Sequence, residues 1–386
     1  MSVELRPLGV KCNIQCRYCY QSPQRDAGNI TRDYNIESMK KAILEDGGPF
    51  TLFGGEPLLV PLRDLEELWS WGLEQFGENS VQTNGALITD AHIRLFKRYK
   101  VAVGISVDGP GELNDLRWHG NLDRTRRTTE KTVSAVERLC REGMPPGVIT
   151  TLHRGNACRE KLPSLLRWLG ELDHMGVRSM RLHLLESENA AIRTLYSLSV
   201  DENVRALVTL ASFQTKLTTL RFDLFADMAL LLMGRDDGTS CVWNACDPYT
   251  TASVRGVEGD GQRSNCGRTN KDGIDFLKSS SEGFERYVVL YQTPQEAGGC
   301  KDCRFFLMCK GQCPGTAIDF DWRNKTEHCG IWMRLYELLE QEMLSAGEHP
   351  LSTAPDRKTV EAAVVTAWSM GKNVSIARAL QEVRAC

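Results

Sequence analysis

From the first residues to about position 220, short apolar or β-branched runs alternate with amphipathic stretches. A period of two giving way to one near 3.6 is what repeated βα units around a parallel sheet produce. Six such units can be counted. Strands are expected at Val3–Leu8, Phe50–Phe53, Ser80–Thr83, Val101–Val107, Gly147–Leu152 and Ser179–Leu184, and helices at 36–45, 62–75, 90–98, 127–141, 162–174 and 201–216. Several strands run straight into Gly-rich or polar turns: FGGEP at 53–57, TNG at 83–85 and SVDGP at 106–110. In parallel βα architectures ligands bind at the C-terminal strand edge, so these turns should converge on one site. Six units predict an incomplete barrel, open on one side.

From about 235 the pattern shifts to short polar segments rich in Gly, Asp and Cys, with few apolar positions. A segment of that kind is expected to need metal to fold. After Cys329 it turns helical again, breaks at the Pro-containing stretch 350–355, and resumes to the end. The expected division is a barrel over 1–225, a cysteine-rich domain over 235–345 and a helical extension over 346–386.

Composition narrows the classes. With 386 residues, 41% hydrophobic and 25% charged, the chain can bury one large core or two modest ones. A formal net charge of -3 gives no electrostatic reason to expect nucleic acid as partner. There is neither a secretory pattern at the N-terminus nor an apolar run of membrane-spanning length, so no membrane partner and a cytoplasmic location are expected. In a reducing compartment the 14 cysteines are better read as metal ligands or redox groups than as disulfides.

Cys12, Cys16 and Cys19 stand three and then two residues apart on the turn after the first strand. Three thiolates on a four-iron four-sulfur cluster leave one iron open to a chelating substrate. A zinc site is the bland alternative, but it needs a fourth ligand, and the first histidine is His92. The spacing, with Tyr18 in the aromatic position, resembles the C-x3-C-x-aromatic-C signature of the radical S-adenosylmethionine (SAM) superfamily. Gly54-Gly55-Glu56-Pro57 is similar to that family's GGEP motif, whose backbone meets the SAM amino group; two glycines also permit close main-chain approach. Ser106, Asp108 and Arg117 resemble the positions that contact SAM ribose and carboxylate in anaerobic sulfatase-maturating enzymes. The alternative for Asp108 and Gly109 is simple turn chemistry, and Arg124, Arg126 and Arg127 compete with Arg117.

Downstream, Cys300, Cys303, Cys309 and Cys313 are spaced by two, five and three residues and followed by Cys329, while Cys246 precedes Gly261 and Cys266. This resembles the SPASM extension of radical SAM peptide-modifying enzymes. The resemblance implies two auxiliary four-iron four-sulfur clusters, the first on Cys241, Cys246, Cys266 and Cys313 and the second on Cys300, Cys303, Cys309 and Cys329. A pair of zinc ribbons is the competing reading, poorly served by the five- and three-residue spacings. Cys140, Cys158 and Cys386 match no motif, Cys140 being expected as a small core residue and Cys386 as a surface thiol.

The resemblance thus implies a partial (β/α)6 TIM barrel followed by a SPASM domain and a helical C-terminal tail, with SAM and three four-iron four-sulfur clusters as cofactors. It implies an oxidoreductase that generates a 5'-deoxyadenosyl radical and crosslinks or desaturates a residue of a ribosomally made precursor peptide. An external donor of flavodoxin or ferredoxin type would supply electrons. Eleven residues precede Cys12, so no leader-binding module is expected ahead of the barrel, and leader recognition would fall to a separate protein, the barrel surface or the helical tail. The alternatives are formylglycine formation in a sulfatase, peptide epimerisation and, from another class, electron transfer without SAM. Against sulfatase maturation, Cys266 is followed by Gly267 and Arg268 where that subfamily's motif has an aspartate base.

Overall fold

A computed structural model describes residues 3–30, 33–247, 249–251, 255–269 and 279–385. The chain divides into two compact units, one formed by residues 1–222 with 254–276, the other by 223–253 with 277–386.

The first unit is built on one sheet whose strands are β1 (Val3–Arg6), β2 (Phe50–Leu52), β3 (Asn79–Thr83), β4 (Val101–Ser106), β5 (Gly147–Leu152), β6 (Ser179–Leu184), β7 (Arg221–Phe222), β8 (Arg255–Glu258) and β9 (Arg263–Asn265). Among the described residues their order is β7-β6-β5-β4-β3-β2-β1-β8-β9, with β7 and β9 at the two edges. All neighbours are parallel except the β8–β9 hairpin. The six expected strands are present, three of them a residue or two shorter, two with the expected bounds and β3 one residue longer. The surplus is instructive. Segment 255–265, expected inside the cysteine-rich domain, instead pairs with β1 from Val3↔Arg255 to Arg6↔Glu258. The reason is edge chemistry: β1 begins the sheet and would otherwise leave a row of backbone groups without partners.

Helices return the chain between strands, at Ile36–Asp46, Leu62–Phe76, Asp90–Arg98, Leu122–Arg141, Leu162–His174 and Val200–Gln214. The fourth starts five residues before its expected position because Asn121 caps it, accepting from Arg124 N–H at 2.9 Å. Their apolar stripes cover one face of the sheet, where Val3, Leu5, Leu52, Val81, Val103, Ile105, Val148 and Met180 are buried. The alternate positions carry Glu4, Arg6, Thr51, Ser80, Gln82, Ser106, Thr151 and His183, so the inner face is polar. Cross-strand bonds stitch that face together, Thr51 Oγ1 to Ser80 Oγ at 2.7 Å and Gln82 Nε2 to Ser106 Oγ at 2.9 Å.

The second unit has an aromatic core. Trp243 packs edge-on against Trp332 and Tyr336, with ring centroids 5.5 and 5.8 Å apart, and Phe305 stacks on Tyr336 at 5.3 Å. The helices Cys329–Ser345, Arg357–Ser369 and Ile376–Ala385 belong to the same body. Trp368, from the stretch expected as a separate extension, meets Tyr287 at 5.2 Å and Phe306 at 6.1 Å. The scarcity of apolar residues between 235 and 329 is thus made good by the C-terminal helices, which pack in the same unit.

Candidate active site

The loop carrying Cys12, Cys16 and Cys19 is fastened at the C-terminal end of β1 from three sides. Gly55 N–H donates to Gly9 O at 3.2 Å and Glu56 N–H to Lys11 O at 2.8 Å. A Cβ on Gly55 would stand 2.2 Å from Lys11 O, and one on Gly54, at φ 118°, would stand 2.4 Å from Gly9 O. These two glycines therefore let the turn after β2 press against the cysteine loop. The segment after β4 forms a second side, accepting from Gln15 N–H at Trp118 O (2.7 Å) and from Arg17 N–H at Leu116 O (2.8 Å). The Arg17 guanidinium also lies over the Trp118 ring, 4.2 Å from its centroid. On the third side Val10 N–H reaches Asn29 O at 3.0 Å.

The three thiols lie within electrostatic reach of one another. Burial pushes Cys12 up to about 11, with Glu56 and Cys19 adding to the rise. Burial likewise raises Cys16, opposed by Arg117 and reinforced by Cys19 and Cys12. Donors point at the sulfurs: Arg25 Nη2 at 3.8 Å from Cys19 Sγ and Asn84 Nδ2 at 3.9 Å from Cys12 Sγ. Three thiols on one loop, two of them, Cys12 and Cys16, held protonated by burial and neighbouring thiols, and met by a guanidinium and an amide, fit a cationic metal group that would take them as thiolates. A cleft opens beside Cys19, lined by Arg17, Tyr20, Ser22, Glu186 and Asn189 among others.

Asp108 organises the wall of this site. Its carboxylate is wholly buried and receives Arg117 Nη2 at 2.9 Å, Thr151 N–H at 3.0 Å, His153 Nε2 at 3.3 Å and the Tyr18 hydroxyl. Burial alone would push its carboxyl up, but the Arg117 guanidinium, followed by His153 and Tyr18, holds it well below the usual range. His153 accepts from Gly155 N–H at Nδ1, 3.1 Å, which leaves Nε2–H to face Asp108. Tyr18 packs with Leu116 and Leu185. The Glu56 carboxylate is equally engaged, accepting from Thr83 Oγ1 at 2.6 Å, Asn84 N–H at 2.8 Å and Leu58 N–H at 3.0 Å. Ser106 lies on the polar inner face.

In the second unit, Cys300, Cys303, Cys309 and Cys329 line one cavity, together with Lys325 and Trp332. Among the described residues no three His, Cys, Asp or Glu side chains converge on a single ion-sized point, whereas thiols around a cavity suit a larger group. Cys241 is exposed on the turn Cys241–Trp243, the Cys246 N–H donates to the Tyr287 hydroxyl, and Cys313 opens the turn Pro314–Thr316. Cys266 follows β9 in the first unit. Cys140 is half-buried on the helix Leu122–Arg141, Cys158 precedes Leu162–His174, and Cys386 lies outside the described residues.

Sequence reasoning missed His153, Asn84 and Arg25. His153 was signalled by parity, since it lies two residues beyond the inward-facing Thr151, and Asn84 by the TNG turn. Arg25 sits on a five-residue helix, Ser22–Asp26, too short for any periodicity to show.

Residues 7–168 match the model described as the radical SAM superfamily. The serine-type anaerobic sulfatase-maturating enzyme of Klebsiella aerogenes is 28% identical over 215 residues, 53% of this chain and 51% of that protein. The cysteine-type enzyme of that name from Clostridium perfringens is 26% identical over 347 residues, covering 81% of this chain and 88% of the other. The chain thus spans about half of the Klebsiella relative. Among solved structures, anSMEcpe with bound AdoMet and Cp18Cys peptide shares the fold at a TM-score of 0.66 and 22% identity, over 89% of this chain and 98% of that one. No helix among the described residues is long and apolar enough to cross a membrane. Through residues 7–168 the chain is similar to the radical SAM superfamily.

Proposed function

We propose that this protein is a SAM-dependent oxidoreductase that crosslinks or desaturates a residue within a ribosomally made precursor peptide. The observation that carries the reading is the thrice-fastened cysteine loop at the edge of a sheet whose inner face is polar. Cys12, Cys16 and Cys19 would hold a four-iron four-sulfur cluster, and the backbone of Gly54–Glu56 with Ser106 would line the SAM site. SAM bound there supplies a 5'-deoxyadenosyl radical that takes hydrogen from an unactivated carbon. The residues of the chain fix what lies within its reach. Asp108 holds Tyr18 and Arg117 in place, Glu56 fixes Thr83 and Asn84, and Asn84 and Arg25 face the sulfurs of Cys12 and Cys19. With its oxygens so engaged, Asp108 acts as a positioning residue, and Arg117 presents its remaining donors to the SAM carboxylate.

The auxiliary sets, Cys241, Cys246, Cys266 and Cys313 and then Cys300, Cys303, Cys309 and Cys329, would carry two more clusters, which favours oxidation over rearrangement. An external flavodoxin- or ferredoxin-type donor would supply the electron used at Cys12, Cys16 and Cys19, and leader binding would fall to the barrel surface, the C-terminal helices or a separate protein.

The relatives' names favour a second reading, formylglycine formation in a sulfatase. The surroundings of Cys266 speak against it. A Cβ on Gly267 would stand 3.3 Å from Arg6 Nη1 and 3.4 Å from Tyr20, and Arg268 turns its guanidinium to Glu186, with Nε at 3.1 Å. No carboxylate directly follows Cys266.

The test is anaerobic reconstitution, reduction and incubation with SAM and the peptides encoded beside the gene, read by mass spectrometry. Formation of 5'-deoxyadenosine and a peptide lighter by two hydrogens is expected. An aldehyde on a sulfatase peptide would establish the second reading instead, and absence of 5'-deoxyadenosine would sink both.

A further inference from the structure

Two buried cations in the cysteine-rich unit have no carboxylate to face. Arg286, 1% exposed, spends its donors on carbonyls: Nε on Trp322 O at 2.6 Å, Nη1 on Lys310 O at 3.3 Å and Nη2 on Asn324 O at 3.0 Å. Lys325, 9% exposed, donates to Gln295 O at 2.8 Å and lines the four-cysteine cavity. Among the described residues neither has an ion-pair partner. Other cations of this unit do meet a carboxylate, Lys310 with Asp236 at 3.7 Å, Arg304 with Glu340 at 3.0 Å and Arg357 with Glu361.

A cation taken out of water without a counter-charge is strongly unfavourable, so a fold that buries two of them implies an anion close by. The candidates are the thiols of Cys300, Cys303, Cys309 and Cys329. Burial pushes Cys300 up to about 12, and Lys325 and Arg286 pull against it. Lys325 pulls Cys303 and Cys329 the same way.

We propose that Arg286 and Lys325 are the electrostatic counterpart of the group held by these four thiolates and set its reduction potential high. This rests on reading the site as an iron-sulfur centre. Four thiolates around a doubly positive four-iron four-sulfur core leave two net negative charges, which the two cations balance. One-electron reduction adds a third negative charge, and buried cations favour that state. Neither residue is a ligand; each tunes the centre through space. Arg286 has a second duty, because its carbonyl contacts hold the Cys309–Cys313 loop against residues 322–324. Lys325 is therefore the cleaner probe.

The experiment uses the full chain with its clusters reconstituted, titrated potentiometrically under electron paramagnetic resonance. Lys325→Gln lowers the midpoint potential of one auxiliary cluster and leaves the N-terminal cluster unmoved. Lys325→Arg restores it, and the exposed control Lys372→Gln changes nothing. A second measurement covers a variant that fails to assemble. In the cluster-free chain the cations face no anion, so Lys325→Gln raises the Tm there, whereas a merely structural lysine would lower it. Wild-type protein with iron for one cluster only, or with zinc at this site, removes the iron-sulfur reading and the proposal together. Auxiliary clusters with unchanged potentials, or a lower Tm of the cluster-free variant, overturn the proposal alone.

Discussion

Asp108 Oδ1 and Arg117 Nη2 meet at 2.9 Å beneath the cysteine loop, the carboxylate without any exposed surface. Removing either partner strands the other in a low-dielectric wall. Asp108→Ala is expected to cost about 3–5 kcal/mol in urea unfolding, because Arg117 is then buried without its anion. Asp108→Asn keeps the shape and costs less, yet it should weaken SAM binding by loosening Tyr18 and Arg117. The folded carboxyl lies below its unfolded value, so the pair's contribution is complete above the ordinary carboxylate range, near pH ~4, and drains away as pH falls toward the folded value. The Asn variant should flatten that acid limb.

A packing argument governs Gly55. Its ideal Cβ would stand 2.2 Å from Lys11 O and 2.4 Å from Val10 O, both rigid backbone. Gly55→Ala must push the cysteine loop away from the sheet, and overpacking of this kind costs about 1–3 kcal/mol. Iron analysis per chain should show loss of the N-terminal cluster's share with the auxiliary share retained. Gly147→Ala, whose Cβ meets nothing nearer than Ser179 Oγ at 4.0 Å, is the tolerated control. Full iron in Gly55→Ala would refute the fastening role.

How much of this was legible in the sequence depends on the range of each interaction. The six strands and their helices were readable because one apolar face repeats locally, as in Val101, Val103 and Ile105 opposite Ala102, Gly104 and Ser106. The three N-terminal cysteines share one turn, so spacing exposed them too. Pairing of β8 with β1 was not readable, since it joins residues some 250 apart and offers no local period. The Asp108 hub draws on Tyr18, Arg117 and His153 from three different loops, and only the fold sets them on one carboxylate. Gly54 and Gly55 were read as an approach to ligand; the structure adds an approach to the chain's own cysteine loop.

Asp173 ties the helix Leu162–His174 to the start of β7. Its oxygens accept from Thr218 N–H at 3.0 Å, Thr219 N–H at 2.7 Å and Leu220 N–H at 2.7 Å. Burial works against ionisation, but these backbone donors win and hold the carboxyl below its usual range. Asp173→Ala leaves three amides without acceptors and should lower stability by about 1–3 kcal/mol. As with Asp108, the contribution is present at neutral pH and lost in acid, so the gap between wild type and variant should close as pH falls. A gap independent of pH would assign the effect to packing.

Trp368 tests whether the C-terminal helices belong to the cysteine-rich core. The indole is 2% exposed and touches Phe284, Tyr287 and Phe306 at ring-centroid distances of 6.3, 5.2 and 6.1 Å. Two of these neighbours reach the cysteines: Phe306 lies between Cys303 and Cys309, and the Tyr287 hydroxyl receives Cys246 N–H. Trp368→Ala is expected to cost about 3–5 kcal/mol, as large-to-small changes at buried aromatics do. The loss should appear in the thermal melt of the second unit, together with iron released from the auxiliary sites and kept at Cys12, Cys16 and Cys19. Trp368→Phe preserves part of the ring contact and should fall between. An unchanged melt and full auxiliary iron in the alanine variant would show that the helices after 346 are dispensable to the cysteine-rich fold.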